Sequence, residues 1–179
     1  MSEQVEALPA QAIASDSRTT ISWRDYLELT KPRVVALMIL TSVIGMLLAA
    51  PGVPGWGVLV WGNLGIALLA GAAAVVNHVV DQKIDTVMAR TRKRPVATGK
   101  ISPVDAILFA TILACVGMAV LMWQVNHLTA WLTLASLVGY AGVYTLFLKR
   151  ATPQNITIGG LAGAMPPLLG WTAVTGQVE

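Results

Sequence analysis

Charged residues are scarce in this sequence. Only 12% of its 179 residues are Asp, Glu, Lys or Arg, whereas 55% are hydrophobic; a soluble domain is typically about 25% charged. No charged residue occurs in the ranges 34–80, 106–148 and 151–178. Runs of this length exclude an ordinary soluble domain and indicate an integral membrane protein.

Other features are also missing. Cys115 is the only cysteine, so an intrachain disulfide is excluded. The first twenty residues contain neither an apolar run of signal-peptide length nor an Arg-rich transit sequence. We expect residues 1–22 to be a flexible cytoplasmic tail and residues 23–179 to be a membrane domain. The basic residues border the apolar runs, which argues against a nucleic-acid partner.

Five membrane helices fit into the apolar runs, because a bilayer core of about 30 Å takes about 20 helical residues. Their predicted limits are Val34–Ala50, Trp56–Val80, Val104–Trp123, Leu128–Leu148 and Asn155–Val174. The basic segments then all lie on one side of the membrane, and cytoplasmic loops are enriched in Lys and Arg. The sequence thus predicts an all-α, multi-pass protein of a bacterial inner membrane with a cytoplasmic N-terminus.

Three oxygen-bearing side chains recur where the second predicted helix meets its loop. Asn77, Asp81 and Asp85 are four residues apart, which on a helix places them on one face with a rise of about 6 Å per step. Mg²⁺ prefers oxygen ligands and is commonly shared with substrate phosphates. The spacing favours a diphosphate bridged to the protein through Mg²⁺. Solvated carboxylates at a helix end are the alternative.

A cationic cluster follows these carboxylates. It runs from Arg90 through Arg92 and Lys93 to Arg94. Such charges can stabilise a diphosphate leaving group. Topogenic charge explains Arg92 and Lys93 equally well, but Arg90 and Arg94 would share one face if the helix continued.

Five motifs, in order, resemble the UbiA superfamily of membrane prenyltransferases, and within it the branch that makes heme O. They are Leu29–Arg33, Asn77–Asp85, Arg90–Pro95, Tyr144–Asn155 and Gly159–Pro167. The resemblance covers about residues 23–176. It implies a bundle of nine membrane helices around a central cavity, with two acidic motifs on one side.

The resemblance also implies residue roles. Asp81 and Asp85 would hold Mg²⁺, and Asn77 would orient a metal ligand or phosphate oxygen; all three are the catalytic candidates. Contacts to the substrate diphosphate would come from Lys31, Arg90, Arg94 and Lys149, although for Lys31 and Lys149 membrane anchoring is equally consistent. One departure is Gln82, where related sequences often carry a basic residue.

The implied reaction transfers a farnesyl group from farnesyl diphosphate to a vinyl group of protoheme IX, giving heme O for terminal oxidase assembly. Heme-handling or oxidase-assembly proteins would be partners. The second acidic motif has no counterpart in this chain, so we expect the chain to be a fragment that is inactive alone. Prenylation of a quinone precursor, or a non-catalytic role as transporter or assembly protein, are the alternatives.

Overall fold

Every regular element is a helix in the part of the chain described by the computed structural model, residues 21–142 and 155–178. Of residues 155–162 only the backbone is described. The helices are α1 Trp23–Leu29, α2 Pro32–Ala49, α3 Val58–Val80, α4 Gln82–Asp85, α5 Pro103–Gln124, α6 His127–Val138 and α7 Asn155–Thr175. The predicted all-α class is confirmed over these ranges.

Three helices are long and apolar enough to cross a membrane. They are α2, α3 and α5, of 18, 23 and 22 residues, with mean hydropathies of 2.0, 2.0 and 2.4. The protein is therefore a multi-pass membrane protein. The predicted fourth span, Leu128–Leu148, runs beyond the described residues, and the fifth includes residues described by backbone alone. The count of five stays a prediction.

The helix starts follow from their sequences. Ser22 and Asp25 form a capping box at α1, in which each side chain bonds the other residue's backbone. Ser102 caps α5 just before Pro103. Proline is favoured at the first helical position because the N–H that it lacks would have no partner within the helix there. At α6 the Asn126 side chain accepts from the Thr129 amide at 2.8 Å.

Glycines allow two helix pairs to pack closely. Helix α2 packs mainly against α7, and α3 mainly against α5. A Cβ atom on Gly45 of α2 would collide with the backbone of Pro167, and one on Gly170 of α7 would collide with the backbone carbonyl of Ser42. Such close approach is a common way for membrane helices to associate, since small residues maximise van der Waals contact.

The loop between α4 and α5 is held against the bundle by a hydrophobic cluster. Val96 and Ile101 of the loop are fully buried together with Leu29 of α1 and Val75 of α3. Lys100 adds an ion pair to Asp25 at 2.8 Å. These contacts bring α1, the end of α3 and the basic loop together, and the functional candidates lie at this junction.

Candidate functional site

The ladder of Asn77, Asp81 and Asp85 is formed although α3 ends at Val80. Backbone bonds from Asp81 to Asn77 at 3.0 Å and from Asp85 to Asp81 at 2.8 Å keep the helical spacing across the break. The Asn77 amide donates to Asp81 Oδ2 at 3.1 Å. Asn77, Asp81 and Asp85 are buried, with whole-residue exposures of 4%, 5% and 4%. Solvated carboxylates at a helix end, the alternative to a ligand site, do not match this burial.

Lys31 reaches this ladder from the turn between α1 and α2. Its φ of 52° lies in the left-handed region, and it is the one residue other than glycine with positive φ in ranges 21–142 and 155–178. Its Nζ donates to Asn77 Oδ1 at 2.6 Å. A left-handed conformation is unfavourable for an L-residue, and the following Pro32 further favours an extended backbone at this position. The turn thus places the Lys31 ammonium group against the ladder, and the left-handed backbone that does so costs free energy.

Arg94 pairs with the last rung of the ladder. Its guanidinium lies 2.7 Å from Asp85 Oδ2, and the side-chain exposures are 24% and 5%. The buried Thr91 hydroxyl donates to the Asp85 backbone carbonyl at 3.3 Å. Residues 86–99 form turns and bends rather than a helix, so the condition under which Arg90 and Arg94 would share a helix face is not met. The loop folds back instead, because Val96 and Ile101 are buried.

Gln82 has a role that the sequence did not reveal. Its side-chain amide donates to the Val96 carbonyl at 3.1 Å. It therefore ties the basic loop to the start of α4. A hydrogen bond between distant segments leaves no pattern in the sequence.

Two cavities share Lys31, the residue that contacts the ladder at Asn77; none of the three ladder residues lines either of them. The first, the cationic cavity, has a volume of about 780 Å³ and is lined by Arg24, Leu27, Glu28, Lys31, Pro32, Arg33, Val34, His78, Arg90 and Arg94. The second, the apolar slot, has a volume of about 360 Å³ and is lined by Lys31, Val34, Val35, Leu37, Met38, Thr41, Ala70, Ala73, Ala74, Tyr140 and Gly163. Lys31 and Val34 line both, so a charged compartment adjoins an apolar one.

The oxygen atoms of the ladder suit a hard cation that is bound by the protein and the substrate together. No group of three or more His, Cys, Asp or Glu side chains able to hold a metal occurs within 21–142 and 155–178. Asp81 and Asp85 instead offer two buried carboxylates one turn apart. Mg²⁺ usually takes one or two protein carboxylates together with waters and substrate phosphates. Two carboxylates therefore fit such a site.

The predicted diphosphate contacts are brought together in part. Lys31, Arg90 and Arg94 all line the cationic cavity. Lys149 lies outside the described residues. Arg24 and Arg33 line the same cavity but were not predicted; their positions in α1 and at the start of α2 gave only a membrane-border signal.

A family model supports the fold and the motifs. Residues 38–179 match the model of the UbiA prenyltransferase family. The chain belongs to the UbiA prenyltransferase family. A protoheme IX farnesyltransferase of Marinobacter nauticus is 86% identical over 175 residues, which are 98% of this chain and 57% of that protein. One from Saccharophagus degradans is 72% identical over 157 residues, 88% of this chain and 52% of the relative.

A solved structure shares the UbiA fold. This is a UbiA homolog from Archaeoglobus fulgidus bound to GPP and Mg²⁺, with a TM-score of 0.67 and 18% identity. The match covers 86% of this chain and 54% of the solved one. This likeness concerns the fold alone, since the identity is low. The UbiA chain described here spans about half the length of the curated relatives that it matches.

Proposed function

We propose that the whole protein transfers a farnesyl group from farnesyl diphosphate to a vinyl group of protoheme IX, giving heme O for terminal oxidase assembly. The observation that carries this proposal is the junction of the cationic cavity with the apolar slot at Lys31. An isoprenoid diphosphate has the matching form, an anionic head joined to an apolar chain. The protoheme IX farnesyltransferases named above support the choice of acceptor.

The head of the donor would lie in the cationic cavity. Lys31, Arg90 and Arg94 line it, and Lys149 remains a predicted further contact. Cations placed where charge develops stabilise a leaving diphosphate in the transition state. Arg94 also holds Asp85 at 2.7 Å, so one side chain serves both the carboxylate and the substrate head.

The isoprenoid chain would lie in the apolar slot. Ala70, Ala73 and Ala74 form one wall along α3, and small side chains there leave room for a chain. Val34 and Lys31 line both cavities. The allylic carbon of a donor bound in this way would therefore lie near these two residues.

Mg²⁺ is the cofactor we propose for Asp81 and Asp85. When bound, it would supply Lewis-acid neutralisation of the diphosphate charge. The Asn77 side chain donates to Asp81 through its amide and accepts from Lys31 through its carbonyl oxygen. It would therefore orient both a metal ligand and a phosphate-binding cation. These contacts support the three residues as catalytic and the two aspartates as metal-binding.

The chemistry balances as an electrophilic alkylation. The allylic carbon–oxygen bond of farnesyl diphosphate breaks and diphosphate leaves with the electron pair. The vinyl group bonds to the allylic carbon, and water adds a hydroxyl group with loss of one proton. The product is a hydroxyethylfarnesyl side chain.

We further propose that the protein lies in the bacterial inner membrane with the ladder on the cytoplasmic side, and that it forms part of a nine-helix bundle. The enrichment of basic residues around 24–33 and 83–100 supports this orientation. The solved UbiA homolog, of which the match covers about half, supports the larger bundle.

A hybrid enzyme tests the function. This chain replaces the matching 57% of the Marinobacter nauticus farnesyltransferase, and membranes are incubated with farnesyl diphosphate, Mg²⁺ and protoheme. We expect farnesylated heme by mass spectrometry, and its loss in Asp81→Asn and Asp85→Asn hybrids that insert normally. Prenylation of 4-hydroxybenzoate instead of protoheme would contradict the assignment and favour a quinone-precursor enzyme.

A further inference from the structure

His78 is a buried polar side chain to which the proposed chemistry gives no role. It lies near the end of α3 with 3% exposure. Neither ring nitrogen has a hydrogen-bond partner within the described residues. A buried polar group without a partner costs free energy, and such groups in folded proteins call for a specific explanation.

The surroundings of His78 indicate what its partner is. His78 lines the cationic cavity together with Lys31, Arg90 and Arg94, and both of its ring nitrogens are buried. Arg24 and Arg33 add two further positive charges to the lining, and Glu28 is the one carboxylate among the described residues that line it. The cavity therefore attracts an anionic occupant, and anionic oxygens accept strong hydrogen bonds from N–H donors.

We propose that His78 donates an imidazole N–H to an anionic oxygen of the substrate bound in the cationic cavity. This inference rests on the proposed function and adds a substrate-binding residue to it. The oxygen belongs either to the diphosphate of the donor or to a carboxylate of the acceptor. Because His78 contributes a directed bond, it positions the ligand, whereas the surrounding cations supply most of the attraction.

Direct binding of ligands to the hybrid enzyme described above, in lipid nanodiscs, tests this role. The variants are His78→Leu, which removes the donor, and His78→Gln, which keeps an N–H. His127→Leu is the matched control, because His127 is exposed at the start of α6, outside the cavity lining. The probes are farnesyl S-thiolodiphosphate with Mg²⁺, protoheme, and protoheme dimethyl ester.

We expect His78→Leu to bind one anionic probe about ten- to a hundredfold more weakly, which is the usual effect of losing a hydrogen bond to a charged group. His78→Gln should recover part of the affinity, and His127→Leu should bind as the wild type does. Thermal stability without ligand should be unchanged or higher in His78→Leu, since no bond to a described residue is lost.

The probes separate the two sources of the oxygen. Weakened binding of the thiolodiphosphate alone assigns the bond to the donor. Weakened binding of protoheme, with no change for its dimethyl ester, assigns it to an acceptor carboxylate. If His78→Leu binds every probe as tightly as the wild type, the role of His78 is refuted while the proposed function stands. If the wild type binds no probe, both fail.

Discussion

The left-handed turn at Lys31 yields a prediction in which stability and function separate. A positive φ costs an L-residue about 1–2 kcal/mol of free energy relative to its preferred conformation, whereas for glycine this cost is close to zero. At φ 52°, Lys31→Gly should therefore be about 1 kcal/mol more stable than Lys31→Ala. Both variants lose the same ammonium group and its 2.6 Å bond to Asn77.

Binding should respond differently from stability. Lys31 lines both cavities, so either variant should bind farnesyl S-thiolodiphosphate about ten- to a hundredfold more weakly, as expected when a charge-assisted hydrogen bond is lost. The exposed Lys93, which lies outside both linings, provides a control for net charge. Lys93→Ala should bind within about twofold of the wild type, since an exposed charge contributes little.

The assay combines thermal unfolding of the chain in nanodiscs with calorimetric titration of the hybrid enzyme described above. A difference of about 1 kcal/mol corresponds to about 2–4 °C in the unfolding midpoint for a chain of this size. Equal midpoints for Lys31→Ala and Lys31→Gly would refute the strained turn. Wild-type affinity in either variant would refute the role of the ammonium group.

Two further predictions concern packing and charge. Gly170→Ala should lower the midpoint of thermal unfolding by forcing α7 away from Ser42, whereas Gly163→Ala on the same helix should not, because its Cβ meets no atom of the described residues within 4 Å. The hydrogen bond from Lys100 lowers the pKa of Asp25. The contact therefore stabilises the folded protein fully at pH values above the ordinary carboxyl pKa, and this stabilisation is lost as the pH falls through the lowered pKa. Lys100→Met should raise that pKa, as measured by carboxyl chemical shifts against pH.

The fold was predictable wherever it depends on local sequence. The charge-free runs set the positions of the long helices to within a few residues, because a bilayer excludes charge over a fixed length. Their partners were not predictable. The contact of Gly170 with Ser42 depends on the relative placement of helices more than a hundred residues apart, and sequence spacing carries no information on that placement.

The site was predictable to the same degree. The four-residue spacing of Asn77, Asp81 and Asp85 identified side chains that the structure brings together. The course of the following loop was not predictable from the sequence, since the ion pair between Arg94 and Asp85 requires a reversal of the chain. Local sequence left a continuing helix open, whereas burial of Val96 favours the reversal.

The central claim is that a divalent ion joins the substrate diphosphate to the carboxylates of Asp81 and Asp85. Electron–nuclear double resonance measures this directly, with Mn²⁺ in place of Mg²⁺ and farnesyl S-thiolodiphosphate bound to the hybrid enzyme. The account predicts a ³¹P hyperfine coupling to Mn²⁺ that disappears in the Asp81→Asn, Asp85→Asn double variant. A coupling that persists in that variant, or tight binding of the diphosphate after chelation of all divalent ions, would contradict it.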